Sequence, residues 1–228
     1  MSETSVIPFP DRFDATSLQD KGLAALLKLA NSARESLQLD QARRAYEHIL
    51  SFDPDNLDAR IGLMRCHFYA ENWPEAFKAL EVRFQVMGDP PQVFVTDRKG
   101  NRRAKPRWTG GPAPGSLLVL DEQGMGDTLQ FMRFLPRLIS GGTRVTLVTH
   151  RRLFALIRAA GIACELRPMD QAGSVTGIEA WSPLLSLPMA MGLGAADIPM
   201  RRPYLAVDPA RVARWRAWLG PAGLKVGV

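Results

Sequence analysis

The stretch "SLLVLDEQGMGDTLQFMRFLP", Ser116–Pro136, decides how the second half of this 228-residue chain folds. It opens with a short apolar run, which predicts a buried strand, and the run ends in a bend that contains two glycines. From Thr128 to Ile139 the apolar residues recur at helical spacing, so we predict a helix that Pro136 kinks. Strand, bend and helix in this order form the first half of a βαβ unit.

The alternation of strand and helix continues beyond this helix. "RVTLVT", Arg144–Thr149, predicts a second strand, a helix follows near Leu153–Ala160, and a further strand lies near Ile162–Leu166. This rhythm implies right-handed crossovers and a parallel sheet of Rossmann type. "DPARVARWRAWLG" then predicts a helix over Pro209–Leu219 with Asp208 as its cap.

The first part of the chain is helical in period and contains an internal repeat. The repeat has a spacing of 34 residues, and small residues recur in it where helices must approach each other closely. The recurring pairs are Leu29 and Leu63, Ala42 and Ala76, and Tyr46 and Leu80. Between the two copies, Pro54 cannot continue the preceding helix, so a turn is predicted there.

This pattern resembles the tetratricopeptide repeat. Ala42, Tyr46 and Pro54 stand in the family's positions, whereas Leu26 stands where the family usually has tryptophan and Ala33 where it has tyrosine. Fewer than three such repeats rarely form a stable unit alone, so we expect them to dock on another part of the chain or on a partner protein.

Composition and charge narrow the classes of function. Lysine and arginine number 29 against 23 aspartates and glutamates, and the net charge of +6 favours anionic partners. The two cysteines, Cys66 and Cys164, form no CxxC pair and read as reduced core thiols. With no signal-peptide pattern and no apolar run near ~18 residues, we expect a soluble, cytoplasmic protein.

Residues 89–115 are rich in glycine and proline and carry six basic residues between Arg98 and Arg107. A basic stretch followed by Trp108 could bind nucleic acid or a lipid headgroup. We interpret it as a solvated linker with a short hairpin about Lys99–Asn101, and we expect no nucleic-acid partner.

The bend after the first strand of the sheet is the candidate ligand site. In open parallel sheets, ligands bind beyond the carboxyl ends of the strands, and Gly124 and Gly126 would let one approach the backbone. Asp127 can be a helix N-cap, with Gln130 completing an approximate capping box, and it can equally accept a proton from a ligand. Leu129 replaces the third glycine of a dinucleotide fingerprint, and no GK[ST] phosphate loop is present.

The motif "W-x-G-G-P-x-x-G-S-L-L-V-L-D-E-Q-G-M-G-D-T-L-Q-F-M-R-F-L-P", from Trp108 to Pro136, resembles the start of the glycosyltransferase domain in bacterial tetratricopeptide-repeat proteins related to heptosyltransferases. The resemblance covers nearly all of residues 22–228. It implies two facing Rossmann-like domains, of which the first holds the acceptor and the second a nucleotide-activated sugar. It also implies an inverting, metal-independent transfer that needs no cofactor, with Asp127 as general base.

The same resemblance implies an acceptor site around the bend, with a glycan, lipid or protein as acceptor. The candidate substrate-binding residues are Glu122, Gln123, Gly124, Gly126, Gln130 and Arg133. The "DPD" at Asp53–Asp55 matches the Asp-x-Asp metal motif of other glycosyltransferases, but it lies in the turn between repeats and we assign it no metal.

The fold class expected is therefore α + α/β, with a tetratricopeptide-like helical segment before a Rossmann-like sheet domain. We expect a flexible arm over 1–15, repeats over 16–88, a linker over 89–115, an acceptor-side domain over 116–220, and the start of a missing second domain over 221–228. The alternative function is that of a non-catalytic interaction scaffold. The sequence leaves the donor sugar, the acceptor and the oligomeric state open.

Overall fold

The structure is a computed structural model that describes residues 22–90, 92–96, 101–198, 204–221 and 223. The chain divides into two compact units, Met1–Pro90 with Gly192–Asp197, and Pro91–Met191 with Ile198–Val228. The arm predicted over 1–15 and the strand predicted for "LKVGV" lie outside the described residues. None of the helices in the described ranges is long and apolar enough to cross a membrane.

The first unit, which we call the repeat unit, consists in its described residues of five consecutive helices, and the first four pack each on the next. Its helices are α1 Gly22–Glu35, α2 Leu39–Phe52, α3 Leu57–Tyr69, α4 Trp73–Ala79 and α5 Arg83–Met87, with a 3₁₀ turn at Leu80–Val82. The turn after α2 ends at Asn56, whose side chain accepts a hydrogen bond from the Ala59 amide at 3.0 Å and so caps α3.

The core of the repeat unit is built from small residues around one large side chain. Ala30, Ala42 and Ala45 are fully buried, which lets α1 and α2 approach closely, and Tyr46 is fully buried beside them. The Tyr46 hydroxyl donates to Asn31 Oδ1 at 2.7 Å, which satisfies a polar group that burial would otherwise make costly. Burial raises the pKa of the Tyr46 hydroxyl.

Three positions of the repeat pattern differ in their burial. Leu26 and Ala33, which replace the aromatic residues usual in the family, are buried in the core. Leu29 is 37% exposed and lies at the edge, so its recurrence in the sequence does not mark a core position.

The second unit, which we call the sheet unit, contains a four-stranded sheet in the order β5-β4-β3-β6, with every neighbouring pair parallel. Its strands are β3 Ser116–Leu120, β4 Arg144–Thr149, β5 Glu165–Pro168 and β6 Ala180–Pro183. Its helices are α6 Met125–Phe131, α7 Leu135–Ser140, α8 Phe154–Ala159, α9 Leu187–Ala190 and α10 Pro209–Leu219. These elements confirm the predicted fold class, α + α/β.

Strand β3 lies in the interior of the sheet, and four of its five residues are buried. Leu118 pairs with Thr146 of β4 on one side and with Trp181 of β6 on the other. Leu118 and Trp181 share a core with Val95 and Ile178, which comes from the segment before β6. A strand covered in this way reads as a continuous apolar run, which explains why "SLLVL" was recognisable.

Several element boundaries differ from the predictions. The helix predicted over 128–139 starts earlier, at Met125, and is broken by a 3₁₀ turn at Met132–Phe134 before α7 begins. Pro136 lies in the first turn of α7, where the backbone N–H that proline lacks would have no partner within the helix. The proline therefore stands at the start of a second helix instead of kinking a single one. The third strand lies a few residues later than predicted, and β6 was not predicted.

Part of the segment predicted as a linker contributes to the sheet unit. Strands β1 Phe94–Thr96 and β2 Arg102–Ala104 pair antiparallel, as the predicted hairpin requires, although its turn lies outside the described residues. Arg107 then forms a parallel bridge with Trp181, and the Trp108 amide donates to the Trp181 carbonyl at 2.7 Å. The backbone of Pro106 and Trp108 therefore joins this segment to β6, and Val95 of β1 packs in the core beside Trp181.

Helix α10 has the predicted bounds. The Asp208 side chain accepts a hydrogen bond from the Ala210 amide at 2.9 Å, and Gly220, at φ 68°, follows its last residue. Val212, Trp215 and Leu219 share one face of the helix, but no residue of α10 is buried and Trp215 is 50% exposed.

Candidate functional site

The candidate site lies at the carboxyl edge of the sheet, where β3 ends. Because β3 stands between β4 and β6, the connection after β3 leads to one side while the chain later returns to the other. The gap between β3 and β6 is the point at which the strand order reverses, and in open α/β sheets this is where ligands bind. The predicted bend, residues 121–126, follows β3 at this point.

Asp121, the first residue after β3, holds the base of the bend and was absent from the predicted site. It is 8% exposed, and its carboxylate accepts hydrogen bonds from the hydroxyls of Thr128 and Thr149, the latter at 2.6 Å. Both threonines are fully buried and lie on α6 and at the end of β4. One carboxylate thus ties β3, β4 and α6 together. The contact with Thr149 crosses 28 residues of sequence, so spacing could not reveal it.

Glu122 links the two sides of the switch point. Its Oε1 accepts a hydrogen bond from the Leu185 amide at 3.1 Å, and Leu185 belongs to the 3₁₀ turn Leu184–Ser186 that follows β6. The carboxylate therefore joins the loop after β3 to the loop after β6. Gln123, next in the chain, is exposed and has a φ of 64°, an uncommon conformation for a residue other than glycine.

The helix after the bend begins differently from the prediction. Asp127 was predicted as the N-cap, but Gly124 holds that position and Asp127 is the third residue of α6. Its Oδ2 accepts a hydrogen bond from the Gly124 amide at 3.0 Å, which is the reverse half of a capping box. Gln130 is therefore not the capping partner, and its exposed side chain lies a turn further on.

The second oxygen of Asp127 is the notable feature of the bend. The residue is half-buried, and among the residues that the structure describes Oδ1 has no hydrogen-bond partner. A carboxylate with one oxygen held by the backbone and the other unoccupied has a fixed orientation and can still accept a proton or a hydroxyl. A Cβ at Gly126 would meet nothing within 4 Å, so there is open space beside this residue of the bend.

Two arginines lie near the bend. Arg133 follows α6, its Nε donates to the Gln130 carbonyl at 2.9 Å, and its guanidinium stacks 4.2 Å above the centre of the Tyr204 ring. Arg107, assigned from sequence to the solvated linker, donates through Nη2 to Ser186 Oγ at 2.9 Å. Ser186 directly follows Leu185, so Arg107 places a positive charge at the carboxyl end of β6. The sequence showed Arg107 only as one of several clustered basic residues.

The acidic turn between the repeats has a structural role. Asp53 Oδ2 accepts a hydrogen bond from Asn56 Nδ2 at 3.0 Å, and Asp55 forms an ion pair with Arg60 at 3.0 Å. Within the described ranges, no group of three or more histidine, cysteine or acidic side chains is arranged to hold a metal ion.

Comparison with known proteins identifies the repeat unit. Residues 33–92 match the sequence model of the tetratricopeptide repeat family, so the chain contains a repeat-based protein-interaction segment followed by a parallel α/β sheet unit. The chain is also 29% identical over 175 residues to the protein FlbA of Caulobacter vibrioides. That alignment covers 68% of this chain and 28% of FlbA, so the chain spans far less than the full length of this relative. No solved structure gives a significant match.

Proposed function

We propose that the sheet unit is the acceptor-binding half of a sugar transferase that uses a nucleotide-activated sugar. The observation that carries this proposal is the Asp127 carboxylate, which lies at the carboxyl edge of the sheet with Oδ2 held by the Gly124 amide. Its Oδ1 has no hydrogen-bond partner among the described residues. The resemblance of the segment from Trp108 to Pro136 to glycosyltransferase domains supports the same assignment.

The chemistry is a displacement at the anomeric carbon. The acceptor hydroxyl oxygen forms a bond to that carbon while the bond from the carbon to the nucleoside diphosphate breaks, and the diphosphate leaves with the bonding electrons. Asp127 Oδ1 accepts the hydroxyl proton late in the reaction. The hydrogen bond from the Gly124 amide to Oδ2 fixes the orientation of the carboxylate. Attack opposite to the leaving group inverts the anomeric centre. The proton then passes from Asp127 to water.

The other predicted site residues take different parts in this proposal. Gln123 and Gln130 are exposed amides that can bind acceptor hydroxyls, while Gly124 and Gly126 give the acceptor room. Glu122 acts by positioning, because its carboxylate is engaged by the amide that follows β6. The donor would be held by a second domain, which the resemblance implies and these residues do not supply.

Arg133 can meet a negative charge on the acceptor. Its stacking on Tyr204 orients the guanidinium and leaves donors for a phosphate or carboxylate. In this proposal the repeat unit recruits the protein that carries, or itself is, the acceptor. The repeat match over residues 33–92 supports protein binding and no particular partner.

A second candidate function is a non-catalytic scaffold in which the repeats bind a partner and the sheet unit only supports them. The observation that favours it is again the tetratricopeptide match, because such repeats commonly present binding surfaces without catalysis. In the scaffold, Asp127 serves only to cap α6.

The test is nucleoside diphosphate release by the complete natural protein from UDP-, GDP- and ADP-sugars, measured with and without EDTA. A transferase releases diphosphate from one of them, release rises when the natural acceptor is added, and EDTA leaves the rate unchanged. A protein that binds its partner with full affinity and turns over none of these donors would contradict the enzymatic proposal and support the scaffold.

A further inference from the structure

Helix α10 exposes two tryptophans. Trp215 is 50% and Trp218 75% exposed, and their rings meet edge to face with centroids 5.4 Å apart. Tryptophan is a residue that folded proteins usually bury for most of its area. Two exposed rings in contact with each other form an apolar patch, and such patches commonly mark an interaction site.

The large apolar side chains of α10 share one face, and only alanines and a proline occupy the opposite face. At 3.6 residues per turn its large apolar side chains fall within one arc of about 120°. These side chains are Val212, Trp215, Trp218 and Leu219. Arg214 and Arg216 lie about 40° beyond the two edges of this arc, and Arg211 lies within it at the first turn. Basic side chains therefore border the apolar face on both sides.

The charge of α10 has one sign. Its eleven residues include the three arginines and no acidic residue. All three arginines are exposed, and none forms an ion pair with a residue in the described parts of the chain. Asp208, the residue before the helix, is engaged in capping its first turn. A surface that complements this helix therefore has an apolar region facing the tryptophans and negative charges facing the arginines.

We propose that α10 binds the surface of an anionic lipid bilayer, with the helix axis parallel to the membrane plane. Tryptophan rings prefer the interfacial layer of the bilayer, where Trp215 and Trp218 would lie. Arginines at the edges of the apolar face can reach outward to lipid phosphates, and anionic headgroups attract each of them. Eleven residues are too few to span a bilayer, so the attachment is peripheral. This inference does not depend on the proposed sugar transfer.

The test is flotation of the complete natural protein with vesicles of phosphatidylcholine alone, or with equal parts of phosphatidylcholine and phosphatidylglycerol. One double variant is Trp215→Ser with Trp218→Ser, and another is Arg214→Glu with Arg216→Glu. The matched control reverses two exposed arginines of the repeat unit, Arg44→Glu with Arg65→Glu, and so makes the same change in net charge. Thermal unfolding of each variant checks folding.

We expect the wild type to float only with the anionic vesicles and to be released by salt. Each α10 variant should bind these vesicles at least about tenfold more weakly with an unchanged Tm, while the control pair binds like the wild type. No binding by the wild type, or equal losses in the control pair, would overturn the proposal. If the tryptophan variant keeps its vesicle binding but loses an oligomeric or protein complex, α10 is a protein interface instead.

Discussion

Replacing Gly62 by alanine should destabilise the repeat unit, although alanine favours helices more than glycine does. Gly62 lies in α3 and faces the ring of Tyr46 on α2. A Cβ at Gly62 would overlap the ring atoms Cζ and Cε1 of Tyr46 and lie 2.7 Å from its hydroxyl oxygen. Tyr46 is fully buried and its hydroxyl is bonded to Asn31, so the ring cannot move aside without breaking that bond.

Two effects of opposite sign decide the result. Alanine in place of glycine in a helix interior stabilises by about 1 kcal/mol. Forcing a methyl group into a packed core costs about 1–3 kcal/mol, and a buried hydroxyl that loses its partner costs about 1–3 kcal/mol more. The expected net loss for Gly62→Ala is therefore roughly 1–5 kcal/mol of unfolding free energy.

Urea unfolding followed by circular dichroism measures this difference. Gly126→Ala is the matched control, because Gly126 also lies in a helix but a Cβ there meets nothing within 4 Å. We expect the control to be neutral or stabilising. Adding Tyr46→Leu should remove most of the cost of Gly62→Ala, as a strong coupling in the double-mutant cycle. A Gly62→Ala protein as stable as the wild type would refute the packing described for α2 and α3.

Three further predictions concern one buried and two half-buried polar groups. Thr149→Val should cost about 1–3 kcal/mol, because it leaves the buried Asp121 carboxylate without one donor, whereas Thr149→Ser should cost less; chemical denaturation compares them. Burial lowers the pKa of His67, so the folded state resists protonation of this side chain. The stability of the fold should therefore fall as the pH drops below about 6.5, the pKa of histidine in the unfolded chain. In His67→Gln, Tm measured against pH should show a smaller fall. Burial raises the pKa of Cys164 to about 11, so its alkylation by iodoacetamide should be slow at neutral pH and accelerate in alkali; rapid alkylation at neutral pH would contradict its burial.

The elements recognisable from sequence are those whose local pattern agrees with their final environment. Strand β3 was evident because both of its faces are covered, and Tyr46 was evident because it sits four residues after the small Ala42 on the same helical face. Strand β6 was missed because it has four residues and ends at Pro183, a proline that a strand at the end of the sheet tolerates. Four residues are too few to show the alternating or continuous apolar pattern that separates a strand from a loop.

The candidate site was only partly readable for a similar reason. The glycine bend and the Asp127 carboxylate are local features, so their position after the strand could be predicted. The contacts of Asp121 with Thr149 and of Arg107 with Ser186 depend on which strands become neighbours, and the second joins residues 79 apart. The N-cap was assigned to Asp127 because an acidic side chain is the stronger signal, whereas the backbone places Gly124 there.

The central claim is that Asp127 Oδ1 accepts a proton from an acceptor hydroxyl, and Asp127→Asn tests it most directly. Asparagine keeps an oxygen that can accept the Gly124 hydrogen bond and so preserves the start of α6, but it replaces the free oxygen with an amide. Asp208→Asn is the control, because Asp208 caps α10 in a comparable way. With the donor sugar that the complete protein turns over, we predict that Asp127→Asn lowers kcat at least about 100-fold at an unchanged Tm, while Asp208→Asn keeps the wild-type rate. An Asp127→Asn protein with wild-type kcat would contradict the account.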